Sequence, residues 1–174
     1  FDPKTDGILI SCGETAYGVI NRHTTKGQKI GILGIGVMGH LLIQYAVAMG
    51  LETTAFTSSE SKVELIKSLG AHHVVVNSKE NDRFNDYENK FDSLVNLLPV
   101  TDPEMNEKIL QMIKPCGKLI QLGFPGDESG SRMTISFYTL IAKQIEIVGY
   151  NNGPSKSIQE TLEFAANHKI TAFS

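Results

Sequence analysis

Short apolar runs alternate along this chain with longer amphipathic segments, and no tight hairpin signal joins any two of them. That rhythm leaves few folds open. From Lys29 onward, "KIGILG" (29–34), "LETTAFT" (51–57), "HHVVVN" (72–77), "FDSLVNLL" (91–98), "KLIQLG" (118–123) and "IEIVGY" (145–150) have the length and composition of buried strands. Helical periodicity fills the gaps. It covers 36–49, with Leu41, Leu42, Tyr45, Ala46 and Met49 on one face, and the run through "KVELIKSLG", with Ser59 or Ser61 as cap and Gly70 as stop. It returns in "DPEMNEKILQMIK" (102–114), capped by Asp102 with Pro103 in the first position, and in "SFYTLIAKQ" (136–144) and "SKSIQETLEFAANH" (155–168). Pro115, Cys116 and Gly117 read as a turn, and the polar stretch 78–90 as a short helix or a solvated loop. Strands joined only through helices require crossover connections and therefore a parallel sheet covered on both faces. The expectation is an α/β, doubly wound, six-stranded parallel sheet in three αβα layers, a Rossmann fold, over residues 1–174 as one domain.

Bulk properties exclude several functions. A net charge of −3 leaves no basic footprint for nucleic acid. No apolar run reaches the roughly 18 to 20 residues of a membrane span. Nothing at the start has the basic-then-apolar order of a signal peptide. Two cysteines, Cys12 and Cys116, are too few for a disulfide scaffold and fit a reducing, cytoplasmic interior. The chain opens on Phe rather than Met and stops soon after an apparent helix, so both ends are expected to belong to something longer.

The chemistry begins at "GILGIGVMGH", where Gly34, Gly36 and Gly39 form G-x-G-x-x-G between a strand and a helix. Gly34 permits the sharp turn, Gly36 lets backbone approach a pyrophosphate, and Gly39 lets the helix lie close to the strand. Free N–H groups at the helix start then meet the negative charge. In such a fold an acidic residue about 20 positions on, at the end of the second strand, binds the ribose 2′-hydroxyl of NAD. Here that place reads "AFTSSESK": Thr57, Ser58 and Ser59, with Lys62 within reach. Hydroxyls and an ammonium suit a 2′-phosphate, so NADP is favoured, although Glu60 is adjacent and the serines would also serve simply as helix caps.

The stretch from "GETAYGVINRHTTKGQ" through "GAHHVVVNS", with "FDSLVN", "GKLIQLG" and "IVGYNNG" following in order, resembles the cofactor half of zinc-type, medium-chain alcohol dehydrogenases, in particular their NADP-dependent, cinnamyl-alcohol-dehydrogenase-like branch. The resemblance covers almost the whole chain. It implies that Thr15 lies near the nicotinamide and diphosphate, and that Gly34, Ile35, Gly36, Val37, Met38 and Gly39 supply the pyrophosphate turn. Thr57, Ser58, Ser59 and Lys62 would recognise the 2′-phosphate. Leu97, Leu122, Gly123 and Phe124 would border the adenosine and nicotinamide ribose regions, and Tyr150, Asn151 and Asn152 the nicotinamide carboxamide. It further implies a separate N-terminal GroES-like catalytic domain carrying catalytic zinc, no catalytic residue in this chain, small alcohols or aldehydes as substrates, and homodimers built through edge strands, here "IEIVGY" or a strand near Met133 to Ile135.

Within that resemblance the last zinc ligand is a cysteine four residues before the threonine of G-x-T-x-Y. Counted back from Thr15, that position holds Ser11, and Cys12 is its neighbour. A hydroxyl is a poor substitute for thiolate at zinc. Adjacent helical residues point about 100° apart, so Cys12 replaces it only if the helix register slips. Cys12 reads equally well as a small buried hydrophobe. His40 follows the third glycine and reads as a packing or capping residue; His23 lies in a polar connection, open to solvent or a phosphate; His72, His73 and Cys116 lack partners at ligand or catalytic spacing. The sequence thus supports hydride transfer between NADP(H) and an alcohol or aldehyde. A zinc-free quinone or enoyl reductase of the same superfamily and a non-catalytic nucleotide-binding module are the alternatives.

Overall fold

In the computed structural model, which describes residues 7–99, 102–123, 126, 132–153 and 155–172, strand β1 (Lys29–Leu33) sends Ile30 and Ile32 to one side and Leu33 to the other. The same period of two recurs in β2 (Glu52–Thr57), β4 (Phe91–Asn96) and β5 (Ile113–Gln121). There Ala55, Val95 and Ile120 part from Phe56, Leu94 and Leu119. With β3 (His73–Val76) and β6 (Glu146–Gly149) these strands form one sheet in the order β3-β2-β1-β4-β5-β6, and every pairing is parallel.

A sheet apolar on both faces needs two covers. One is built from α1 (Glu14–His23), α2 (Val37–Ala48), α3 (Val63–Ser68) and α6 (Ser155–His168), which bury Val19, Ile20, Leu42, Ile66 and Ala165 against Ile30 and Ile32. The other is built from α4 (Pro103–Gln111), α5 (Phe137–Lys143) and a 3-10 turn at Phe84–Tyr87, around Ile109, Leu110 and Phe84. The doubly wound, six-stranded parallel αβα sheet expected from the sequence is the one the chain adopts. Its order reverses between β1 and β4, and at that point the carboxyl ends of two strands diverge and open a crevice.

Local departures from the sequence reading have identifiable causes. Strand β5 starts at Ile113, so Pro115, Cys116 and Gly117 lie inside it rather than forming a turn. The pairing jumps from Phe91 with Ile113 to Ser93 with Lys118, and Cys116 takes a φ of 61° to absorb the extra residues. The run 79–90 is not a purely solvated face. Phe84 is 3% exposed, and its ring meets Phe56 at 5.6 Å while Tyr87 meets the same ring at 5.1 Å. Neither Ser59 nor Ser61 caps α3: a 3-10 turn at Glu60–Lys62 intervenes, Ser59 precedes that turn without a side-chain cap bond, and the two hydroxyls bond each other at 2.7 Å. Residues 133–135 form no strand. Helix α2 buries Ile43 as well as Leu41, Leu42, Tyr45 and Ala46, with Met49 just past its end and half-buried, so its apolar surface exceeds one face. Ahead of α1, Leu9–Gly13 winds as a π-helix.

Candidate functional site

The crevice begins where β1 ends. Gly34 has a φ of 92°, a left-handed conformation that glycine adopts without strain, and its N–H donates to the Phe56 carbonyl at 3.2 Å. A β-carbon on Gly39 would overlap the carbonyl oxygen of Gly34, so α2 can start this close to β1 only with glycine there. A β-carbon on Gly36 would meet nothing within 4 Å. Gly36 therefore serves no packing need: it faces open space at the amino end of α2, where the first backbone N–H groups have no intrahelical acceptor.

Gly34, Ile35, Gly36, Val37, Met38 and Gly39 line a cleft of 380 Å³ together with Lys62 and Leu97. Lys62 is exposed, and its ammonium donates to the Ile35 carbonyl at 3.0 Å, which brings a cation from beyond β2 onto the rim of the glycine turn. At the end of β2, buried Thr57 accepts from the Ser59 N–H at 3.2 Å, while Ser58 stays exposed. Glu60 is exposed.

Beyond β4 and β5 the organiser is a residue the sequence reading passed over. Asn96 is fully buried; its amide donates to Gln121 Oε1 at 2.9 Å, its side-chain oxygen accepts from the Leu98 N–H at 3.1 Å, and its carbonyl accepts from both Leu122 and Gly123 N–H at 3.0 Å. Gln121 in turn donates to the Gly123 carbonyl at 2.6 Å. Gly123 is pressed against the Leu97 backbone so closely that a β-carbon would overlap it. Leu97, Leu122 and Gly123 are thereby held together at the edge of the crevice. Phe124 lies outside the described residues. A polar side chain closing the apolar run "FDSLVN" was the available signal for Asn96.

After β6, Asn152 accepts from the Thr15 hydroxyl at 2.6 Å, which joins two of the predicted residues from opposite ends of the chain. Tyr150 packs its side chain onto α1 at Gly18, with the Arg22 guanidinium over its ring at 5.5 Å and the His23 ring at 6.0 Å. Asn151 and Asn152 are exposed. Glu14, also passed over, accepts from Gly153, Ser157 and Tyr150.

His40 is 6% exposed beneath the turn, and burial pushes its imidazole below the usual range. The residues that would concern zinc do not assemble a site. Ser11 is exposed, Cys12 is half-buried against the apolar cluster, and the π-helix that carries them has the wider i→i+5 register. Among the described residues no three His, Cys, Asp or Glu side chains are grouped to hold a metal ion. Among them, too, no helix is long and apolar enough to cross a membrane.

Comparison with known proteins agrees with this geometry. The family model for zinc-binding dehydrogenases matches residues 37–167. Mannitol dehydrogenase of Apium graveolens is 31% identical over 174 residues, covering 98% of this chain and 46% of that protein. Aldehyde reductase YahK of Escherichia coli (strain K12) is 36% identical over 166 residues, covering 94% and 46%. Among solved structures, CAD from Helicobacter pylori complexed with NADP(H) superposes with a TM-score of 0.81 at 25% identity, over 95% of this chain and 46% of that one. The chain spans about half the length of the relatives it matches. It belongs to the zinc-binding dehydrogenase family and carries that family's Rossmann-fold unit.

Proposed function

We propose that this chain is the NADP(H)-binding domain of an oxidoreductase that interconverts alcohols and aldehydes. The observation that carries the reading is the 380 Å³ cleft at the amino end of α2, with Gly36 open to it and the Lys62 ammonium at its rim. A pyrophosphate fits unpaired N–H groups and the positive end of a helix. Gly34, Ile35, Gly36, Val37, Met38 and Gly39 would hold it. Thr57, Ser58, Ser59 and Lys62 offer hydroxyls and an ammonium to a ribose 2′-phosphate; β2 closes on Thr57 rather than on a carboxylate, and Glu60 follows, exposed, in the turn beyond. Leu97, Leu122 and Gly123 would flank the ribose region. Thr15 and the segment Tyr150, Asn151 and Asn152 would receive the nicotinamide end. When bound, the nicotinamide donates or accepts hydride at C4. This chain binds and orients the cofactor; substrate contacts and catalytic groups belong to a further GroES-like domain of the intact protein, which we place in the cytoplasm.

The test is a calorimetric titration of the intact protein with NADPH and with NADH. NADPH is expected to bind at least tenfold more tightly, and Lys62→Ala to remove most of that difference, since a charge-assisted contact to phosphate is worth about 1.5–3 kcal/mol. Equal affinities, or a preference for NADH, would overturn the choice of cofactor.

A second reading is favoured by one position. Ser11 stands exposed where a thiolate would be needed, and Cys12 packs inward, which suits a zinc-free quinone or enoyl reductase using the same cofactor. Metal analysis of the intact protein, with and without Ser11→Cys, separates the two: stoichiometric zinc in the unaltered protein selects the alcohol dehydrogenase.

We also infer a homodimer. Phe137, Tyr138 and Ile141 on α5 are 76%, 83% and 74% exposed beside edge strand β6, where Ile147 is 40% exposed. Exposed large apolar side chains and an unpaired strand edge are the features of an interaction surface.

A further inference from the structure

Among the described residues Glu14 is the only acidic side chain that is buried, at 1% exposure. A buried carboxylate is tolerable only when its oxygens are satisfied. Here Oε1 accepts from the Ser157 hydroxyl at 2.6 Å and from the Tyr150 hydroxyl at 3.4 Å, and Oε2 accepts from the Gly153 N–H at 2.8 Å. One side chain at the start of α1 thus ties down the segment after β6 and the first turn of α6.

The surrounding packing is shaped for that contact. A β-carbon on Gly153 would stand 2.6 Å from Glu14 Oε1 and 2.8 Å from the Ser157 hydroxyl. A β-carbon on Gly18 would overlap the Tyr150 hydroxyl. Two glycines, one on each partner, let the segment and the helix close on each other. The next residue, Thr15, grips Asn152. Glu14 and Thr15 therefore hold Tyr150, Asn152 and Gly153 from adjacent points on one helical turn.

We propose that Glu14 is a positioning residue that never touches the cofactor but fixes the backbone of residues 150–153 in the form that receives the nicotinamide. The inference rests on the NADP(H) reading above. A carboxylate suits the task because it only accepts, and it faces three donors. An alanine would remove the carboxylate that holds the Gly153 N–H, and the segment would have to be ordered by the cofactor itself, at the expense of affinity.

The test compares two ligands on the intact protein: NADPH, and adenosine 2′,5′-bisphosphate, which has the adenosine and 2′-phosphate but no nicotinamide. Glu14→Ala is expected to weaken NADPH about tenfold while leaving the bisphosphate within about twofold, the loss of one charge-assisted hydrogen bond felt at one end of the cofactor. Glu14→Gln, whose amide oxygen still accepts from Gly153 while its N–H meets the Ser157 oxygen, should fall between the unaltered protein and the alanine variant. An alanine variant that weakens neither ligand, or weakens both alike, overturns the inference. Failure of the unaltered protein to bind either ligand instead overturns the NADP(H) reading, and the inference with it. Should Glu14→Ala not fold, Ser157→Ala combined with Tyr150→Phe removes two of the three donors and must give the same split between ligands. The absence of that split is equally fatal.

Discussion

Replacing Gly36 with alanine separates the needs of the fold from the needs of a ligand. The added carbon meets no atom within 4 Å, and the residue's φ of −107° is open to any side chain. Two small effects on stability oppose each other. Alanine narrows the unfolded ensemble, which favours the folded state by about 0.4–1 kcal/mol, and it is a poorer helix cap than glycine by a similar amount. The net change should lie within about 1 kcal/mol, a shift in Tm of no more than about 4 °C for a domain of this size. The same carbon projects into the space a pyrophosphate must enter to reach the first N–H groups of α2. Losing one such charge-assisted hydrogen bond costs about 1.5–3 kcal/mol, or roughly 10- to 150-fold in affinity. Gly39→Ala is the control of opposite character: its β-carbon comes well inside 3.0 Å of the Gly34 carbonyl, and overpacking of that kind costs about 1–3 kcal/mol in stability. Calorimetric titration with NADPH, read beside thermal melts of both variants, checks the pair. If Gly36→Ala binds NADPH as tightly as the unaltered protein, the pyrophosphate does not rest on this turn.

Stability should fall as pH drops from about 6.5. Burial first, and Lys118 and Arg22 second in the case of His23, lower the pKa of His40 and His23, so the unfolded chain takes up protons that the folded one refuses. Melting at about pH 5.5 should lie below that at about pH 7.5, His40→Gln should flatten the slope, and a Tm constant across the window would contradict it. The lowered carboxylates Asp82 and Asp92 act further down, below 3.8, and do not enter that window. Ile141→Asp places a charge among the exposed apolar side chains of α5; sedimentation is expected to show a dimer for the unaltered protein and a monomer for the variant, and equal sedimentation coefficients would move the proposed interface elsewhere.

The six strands were legible because each is an apolar run bounded by glycine, proline or polar residues, and the last helix, Ser155–His168, because its periodicity is unbroken. What escaped has a common cause: partners distant in sequence. Phe84 sits among Asp82, Arg83 and Asp86, and Phe56 of β2 together with the apolar cluster around Ile109 and Leu110 makes it core. Pro115-Cys116-Gly117 has turn chemistry, but pairing with β4 draws it into the sheet and leaves a bulge. Glu14 carried no signal in the sequence, since the hydroxyls that donate to it lie 136 and 143 residues away. Asn96 was hidden at the end of a strand otherwise read for its apolar residues. The glycine turn, in contrast, is a local device whose three positions each answer to one neighbour or to none, so sequence alone was enough to find it.

A structure of the intact protein with NADPH bound is the most direct measurement. It should show the pyrophosphate at the backbone N–H groups of residues 36–39, the 2′-phosphate beside Lys62 and the nicotinamide end near Thr15 and Asn152. The protein has a larger cavity, of 460 Å³, at the amino ends of the strands, lined by Lys29, Glu52, His72, His73 and Lys90. A cofactor found there, or with its pyrophosphate away from the amino end of α2, would contradict the assignment of this chain's glycine turn.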